Sequence, residues 1–312
     1  MSIHPNVKPV IRRRYPTIER RPGLTREALI HEYMAQNRPV VVPTVSATWC
    51  ARWSPSALVA RYASCEIEAE ETREVYVGER SLTRRPFGPT VDAMLMGHKN
   101  LRWKGLEFLS KVPGMRSDLT ANPPPYEALM PESAHGQRST LWIAPKGTMS
   151  SLHHDGNYDN LNMQVSGKKL FLLVPPAQHE LLHFHGSAES PVNPFAPDLS
   201  RFPRFSGASP KEAMLGPGDV LLVPKYWWHC VYAVEPSVNL ACCFGWEGEV
   251  SPWRVLSGAP LIHRSLTAVS AAMRRRGLLR LADATRRIWL ATYNRAVPRV
   301  APQPRCVLAD PE

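Results

Sequence analysis

The chain has 312 residues, 44% hydrophobic and 21% charged, and a formal net charge of +11. That length can bury a full core, as one large domain or two small ones. No apolar run reaches the roughly 18 residues a membrane span needs, so no span is expected. The first residues, MSIHPNVKPVIRRRYP, are basic but carry no apolar signal core, so the expected location is cytoplasmic. Six cysteines (Cys50, Cys65, Cys230, Cys242, Cys243 and Cys306) form no CxxC pair and no regular framework, which fits reduced, buried thiols. The charge is uneven. Residues 254–305 hold eleven Arg, no Lys and one acid, Asp283, so this segment is +10 and the rest is about neutral. Solvated helices in an Arg-rich proteome would account for it, and a dock for an acidic peptide, nucleic acid or membrane surface is the alternative. No aromatic interleaving or RNA-binding signature supports nucleic acid as a partner.

In chain order, residues 1–24 read as a basic, loosely packed arm. From Thr25, LTREALIHEYMAQNRPVVV predicts a capped helix with Leu29, Tyr33 and Met34 on one face, then a strand at Val40–Val42. SATWC reads as a turn, followed by a helix from Ser54 with Pro55 at its first position. CEIEAEETREVYVG reads as strand. GPTVDAMLMG predicts a short helix capped near Thr90. A strand is expected around Leu101–Trp103, then a loop or short helix, and residues 121–138 read as loop. From about 140 to 246 short strands dominate: LWIA, the hairpin-like pair NLNMQVSG and KKLFLLVPP, DVLLVP, WWHCVYAVE and SVNLACCFGW. An irregular stretch, SPVNPFAPDLSRFPRF, interrupts them. Many short strands predict a β-barrel or sandwich. Ile262, Leu266, Val269 and Met273 form a helical stripe, so residues 254–300 read as an Arg-rich helical extension and 301–312 as a tail.

His153 and Asp155 are i and i+2, which on one strand places both on one face. His229 follows Asp155 by 74 residues, enough to return on an opposing strand. Two imidazoles and a carboxylate are the ligand set of a mononuclear non-haem iron(II) site with open positions. His154 would face the other way. A competing arrangement, His183-Phe-His185 with Glu189, resembles the first metal motif of cupins and could also recruit His229. It lies in a helical, loop-like segment, and the PxGxxH pattern expected around the later His is replaced by PKYWWH.

LHHD, NLNMQVSGKKLFLLVPP, SRFPRF, PGDVLLVPKYWWH and SVNLACCFGW, with RPVVVP and WSPSALVARY upstream, resemble the JmjC-type, cupin-like iron(II)/2-oxoglutarate oxygenases. The resemblance is to the asparaginyl hydroxylase of hypoxia-inducible factor and its bacterial cupin-like relatives, over residues 25–246. It implies a mainly β fold with flanking helices, a double-stranded β-helix (jelly-roll, cupin) core within an oxygenase domain at 25–253, and a C-terminal helical extension. It implies Fe(II), O2 and 2-oxoglutarate, with His153, Asp155 and His229 as the metal-ligating catalytic centre. Lys169 matches the Lys that pairs with the distal carboxylate of 2-oxoglutarate, and Lys168 would face outward. Ser150 stands where the family often has Thr. Asn160 and Asn239 match amides near the co-substrate. Trp103 falls where some relatives carry a Tyr, and its indole has no acceptor. Asn162 and Gln164 read as barrel lining. The implied reaction hydroxylates a protein, peptide or small-molecule substrate; the alternative is a non-oxygenase metal-binding cupin, either a sensor or binding module or a redox-neutral enzyme using His183 and His185. Helices at 254–300 resemble in position those that join two chains, so a homodimer is expected.

Overall fold

The computed structural model describes residues 15–44, 46–72, 80–97, 101–106, 112, 114–183 and 188–246. The expected helices of the Arg-rich extension and the dimer they would form lie outside these residues.

Residues 15–24 of the basic arm dock onto the domain. Ile18 is buried, and isolated bridges join Thr17 to Glu212 and Arg20 to Val41. Thr25 then caps α1 (Arg26–Ala28), its hydroxyl oxygen accepting from Ala28 N at 3.2 Å. The helix continues as a wider turn over Leu29–Met34, closed by Ala35 N donating to Ile30 O. Leu29, Tyr33 and Met34 are buried, as their spacing predicts. Asn37 ends the segment at φ 51° and anchors Trp227, whose indole N–H donates to its side-chain oxygen at 2.8 Å. Where a turn was expected there is α2 (Ala47–Arg52). α3 (Pro55–Tyr62) starts as predicted, with Ser54 Oγ accepting from Ala57 N. α4 (Phe87–Leu95) begins earlier than the expected cap at Thr90. Pro86 holds the extended conformation that opens the helix, and Thr90 inside it donates back to Pro86 O at 2.6 Å. α5 (Met115–Ala121) fills the position left open between loop and helix.

The strands are β1 (Val40–Pro43), β2 (Glu66–Thr72), β3 (Arg80–Pro86), β4 (Leu101–Leu106), β5 (His135–Ala144), β6 (Leu152–His153), β7 (Asp159–Ser166), β8 (Lys169–Val174), β9 (Glu189–Ser190), β10 (Lys211–Leu215), β11 (Asp219–Val223), β12 (Trp228–Ala233) and β13 (Ser237–Gly245). They form an eight-stranded sheet, β1-β11-β7-β13-β5-β4-β2-β3, and a five-stranded sheet, β10-β8-β12-β6-β9, with antiparallel pairing in both. The mainly β expectation with flanking helices holds for the described residues. β3 and β10 had no predicted counterpart, and β5 starts inside the expected loop.

The expected pairing of β7 with β8 is corrected. β7 lies in the large sheet and β8 in the small one. The chain crosses between sheets at Gly167 (φ +67°), where a Cβ would strike the Pro236 carbonyl, so a side chain cannot sit at this corner. The crossing puts β7 and β8 on opposite walls of one cavity. Alternation along β7 then divides its residues: Leu161, Met163 and Val165 join the core with Leu29, Trp53 and Phe87, while Asn160 and Asn162 line the cavity. Each large apolar side chain buried on that outer face contributes on the order of 1.5–3 kcal/mol, which makes the large sheet a rigid wall behind the site.

Candidate metal centre

β6 and β12 are neighbours in the small sheet, and His153 pairs directly with His229. Their rings lie 4.3 Å apart between centroids. β6 ends at His153, so Asp155 is placed by the following turn and not by the same strand. The shared-face argument from i, i+2 alternation therefore does not apply, yet the turn brings Asp155 Oδ2 to 3.7 Å from His229 Nε2. One ligand-capable atom from each of His153, Asp155 and His229 lies within 4.8 Å of the others.

The donor set fits a divalent metal. His153 Nδ1 is 2.7 Å from Ser151 O and His229 Nδ1 is 3.2 Å from Trp227 O. A carbonyl can only accept, so each Nδ1 carries the proton and each Nε2 presents its lone pair to the centre. Burial, with His153 adding to it and Asp155 opposing, lowers the His229 pKa to about 4. The ring is thus neutral and available as a ligand near pH 7. Burial disfavours a charged Asp155, but His229, His153 and the Asn160 amide together hold its pKa below the ordinary carboxylate value. His154 turns away as expected, packing edge-on against Trp228 and accepting from Gly156 N at 3.0 Å through Nδ1.

A cavity of about 360 Å³ opens from this centre and is lined by both sheets. Lys169, 6% exposed, projects into it from β8 and donates to Asn239 Oδ1 on β13. Lys168 faces outward and pairs with Glu235 at 2.9 Å. Ser150 lines the wall. Its hydroxyl oxygen accepts from Val231 N at 2.9 Å, which leaves the hydroxyl proton to donate into the cavity. Asn160 Nδ2 donates to Asp155 Oδ2 at 2.8 Å. Trp103 pairs with Ile143 across β4 and β5, its side chain lies outside the described residues, and an indole is supplied to the cavity wall by Trp142. Of the competing motif, His183 packs against Phe202 with centroids 5.1 Å apart, Glu189 is exposed on β9, and His185 lies outside the described residues.

Asn162 does more than line the barrel. Its Nδ2 donates to Asn160 Oδ1 at 2.9 Å, and Asn239 Nδ2 donates to Asn162 Oδ1 at 3.4 Å. With Lys169 donating to Asn239 and Asn160 to Asp155, four hydrogen bonds run in one direction from the ammonium to the carboxylate. The sequence signal was present: Asn160 and Asn162 share a face of a strand whose other face is apolar, and a buried amide must find partners. Arg138 and Cys243 also line the cavity and carried no sequence signal.

A metal-ready His/Asp/His centre at one end of a two-sheet β cavity, with a buried Lys further along it, defines the chain as a cupin-type protein. It belongs to the Cupin-like domain family, which matches residues 25–249. Among named relatives, the chain is 29% identical over 231 residues to Lysine-specific demethylase 8 of Xenopus tropicalis, covering 69% of this chain and 49% of that protein. It is 40% identical over 114 residues to HSPB1-associated protein 1 of Homo sapiens, covering 34% of this chain and 23% of that one. It is 30% identical over 146 residues to Jumonji C domain-containing protein 5 of Drosophila melanogaster, covering 45% and 35%. The chain is thus a distant homologue of JmjC proteins, and the matches span half or less of those relatives' lengths.

Proposed function

We propose that this protein is an iron(II)/2-oxoglutarate-dependent dioxygenase that hydroxylates a C–H bond in a protein or peptide side chain or in a small natural product. The observation that carries this reading is one cavity holding both a His153/Asp155/His229 cluster and a buried Lys169. In balance, the substrate C–H, 2-oxoglutarate and O2 give the alcohol, succinate and CO2. Bound iron would supply the oxygen activation that no protein side chain provides.

The chain's own residues bind and orient. His153, Asp155 and His229 would hold the metal on one face and leave the cavity side open. Lys169 sits opposite Ala233, four residues beyond His229 along β12. At about 3.3 Å per residue that is roughly 13 Å of strand, which a Lys side chain and a five-carbon dicarboxylate span together. An ammonium has three N–H groups, so Lys169 can keep its bond to Asn239 and still pair with the distal carboxylate in a charge-assisted contact. Ser150 would add a second donor to that carboxylate, and the two sheets exclude bulk water. Removal of an N-methyl group from lysine, the activity in one relative's name, is a variant of the same C–H chemistry. We place the protein in the cytoplasm and, through the segment 254–300, in a homodimer; light scattering of the intact chain and of a chain ending at residue 253 tests the latter.

The test of the activity is an anaerobic Fe(II) titration with and without 2-oxoglutarate, read by the visible charge-transfer band of the chelate. A band that needs both additions, vanishes in Asp155→Ala and weakens in Lys169→Glu supports the reading. A folded, metal-loaded protein without the band refutes it.

A further inference from the structure

The cavity has an end that neither the metal ligands nor Lys169 account for. Arg138 is exposed on β5, in the same alternating series as Thr140, Trp142 and Ala144, all of which line the cavity. It pairs with Cys243 of β13, and Cys243 pairs in turn with Asn160 of β7, the residue that holds Asp155. Arg138, Cys243 and Asn160 therefore form one row across three strands, level with the metal centre. Two strand spacings of about 4.8 Å set the Arg138 and Asn160 backbones roughly 10 Å apart. Lys169 lies at the other end of the cavity. A co-substrate held between Lys169 and the metal would leave Arg138 on the side that a primary substrate must enter.

The guanidinium there is positioned but not neutralised. Its Cζ lies over the Tyr158 ring, 4.6 Å from the centroid, a cation–π contact that limits its motion without neutralising its charge. Among the described lining residues Asp155 is the one acid, and it is committed to the metal cluster. Arg138 thus offers a planar fork of donors at the cavity mouth, a geometry that matches a carboxylate.

We infer that Arg138, held over Tyr158, selects a substrate bearing a carboxylate close to the carbon that is oxidised. The inference rests on the oxygenase reading above. A lysine or other cationic side chain would meet a like charge at this point, so the site discriminates against the substrate class that one relative's name would transfer.

The experiment uses the full chain loaded with Mn(II) and saturating 2-oxoglutarate, titrated calorimetrically with acetyl-Gly-Glu-Gly-amide, its Gln and Lys counterparts, and N-acetylglutamate. The expected result is binding of the Glu peptide or of N-acetylglutamate about tenfold tighter than the Gln and Lys peptides, the size of one charge-assisted contact. Which of the two acids binds better identifies a peptide or a free acid as the source of the carboxylate. Arg138→Gln should erase the preference, and Arg138→Glu should turn it toward the Lys peptide. Equal binding of all four probes, or an acid preference unchanged in Arg138→Gln, overturns the assignment. The Fe(II)/2-oxoglutarate band is recorded separately for wild type and Arg138→Gln. A band in both without acid preference defeats the Arg138 assignment alone. Absence of the band in both defeats the oxygenase reading, while an acid preference that depends on Arg138 would still establish the anion contact.

Discussion

Replacing Asn162 by Leu isolates the one-way chain of amides between Lys169 and Asp155. Leu has the same number and branching of side-chain heavy atoms, although its methyl groups are bulkier, and it suits a position only 6% exposed that faces the open cavity. Two hydrogen bonds go, the 2.9 Å bond to Asn160 Oδ1 and the 3.4 Å bond from Asn239 Nδ2. Each partner left buried without a bond costs about 1–3 kcal/mol, partly offset by the apolar gain of Leu. The functional effect is more specific. Asn162 holds the Asn160 amide by its oxygen and so keeps the NH2 aimed at Asp155. Without it the amide is held at one end only and can swing away from the carboxylate. Losing a hydrogen bond to a charged group costs about 1.5–3 kcal/mol, or roughly 10–100-fold in metal affinity. We expect Co(II) binding, measured by titration without 2-oxoglutarate, to weaken by at least about tenfold, and thermal unfolding to remain cooperative. Asn160→Ala should weaken the metal to a similar degree. The reasoning is refuted if Asn162→Leu binds Co(II) within twofold of wild type while Asn160→Ala does not.

Acid should destabilise the metal-free protein through His179 and His229. Burial lowers both pKa values to about 4, so the unfolded chain takes up protons near pH 6.5 that the folded chain refuses. Their stabilisation is complete above about pH 6.5 and is lost as pH falls toward 4, on the order of 3 kcal/mol for each ring; denaturant titrations of wild type and His179→Gln at pH 7 and 5 should show a smaller loss in the variant. Gly167→Ala should lower the melting temperature, because a Cβ at φ +67° costs about 1–2 kcal/mol and would also collide with Pro236 O; an unchanged melting temperature would count against the corner described for the β7–β8 crossing. Asp159→Ala removes the carboxylate that lies 3.8 Å from Lys225 Nζ and accepts from Trp246 Nε1 at 2.9 Å. With both charged residues 1% exposed, the loss should approach about 3–5 kcal/mol, read by urea unfolding.

The sequence by itself determined those features that depend on residue type and local spacing. Thr25 and Ser54 mark helix starts because a short hydroxyl side chain can cap free N–H groups, and both do so. Leu29, Tyr33 and Met34 are buried because helical periodicity aligns them. Imidazole and carboxylate chemistry singled out His153, Asp155 and His229, and their cluster forms. The tertiary structure decided what distance along the chain cannot express. β7 and β8 read as a hairpin because two strands joined by a short turn usually pair, yet the corner at Gly167 sends them to different sheets. Asp155 joins the histidines through a turn, although strand alternation predicted the same outcome for a different reason. Asn162 looked like lining because one strand shows only its own alternation. Its part in the amide chain requires Asn160 on the same strand, Asn239 on the next, and Lys169 from the opposite wall. Arg138 gave no signal, since its position level with the metal centre follows from the register of three strands far apart in sequence. Side-chain chemistry is written residue by residue, whereas a cavity is a relation between sheets, fixed only when the long-range pairings close.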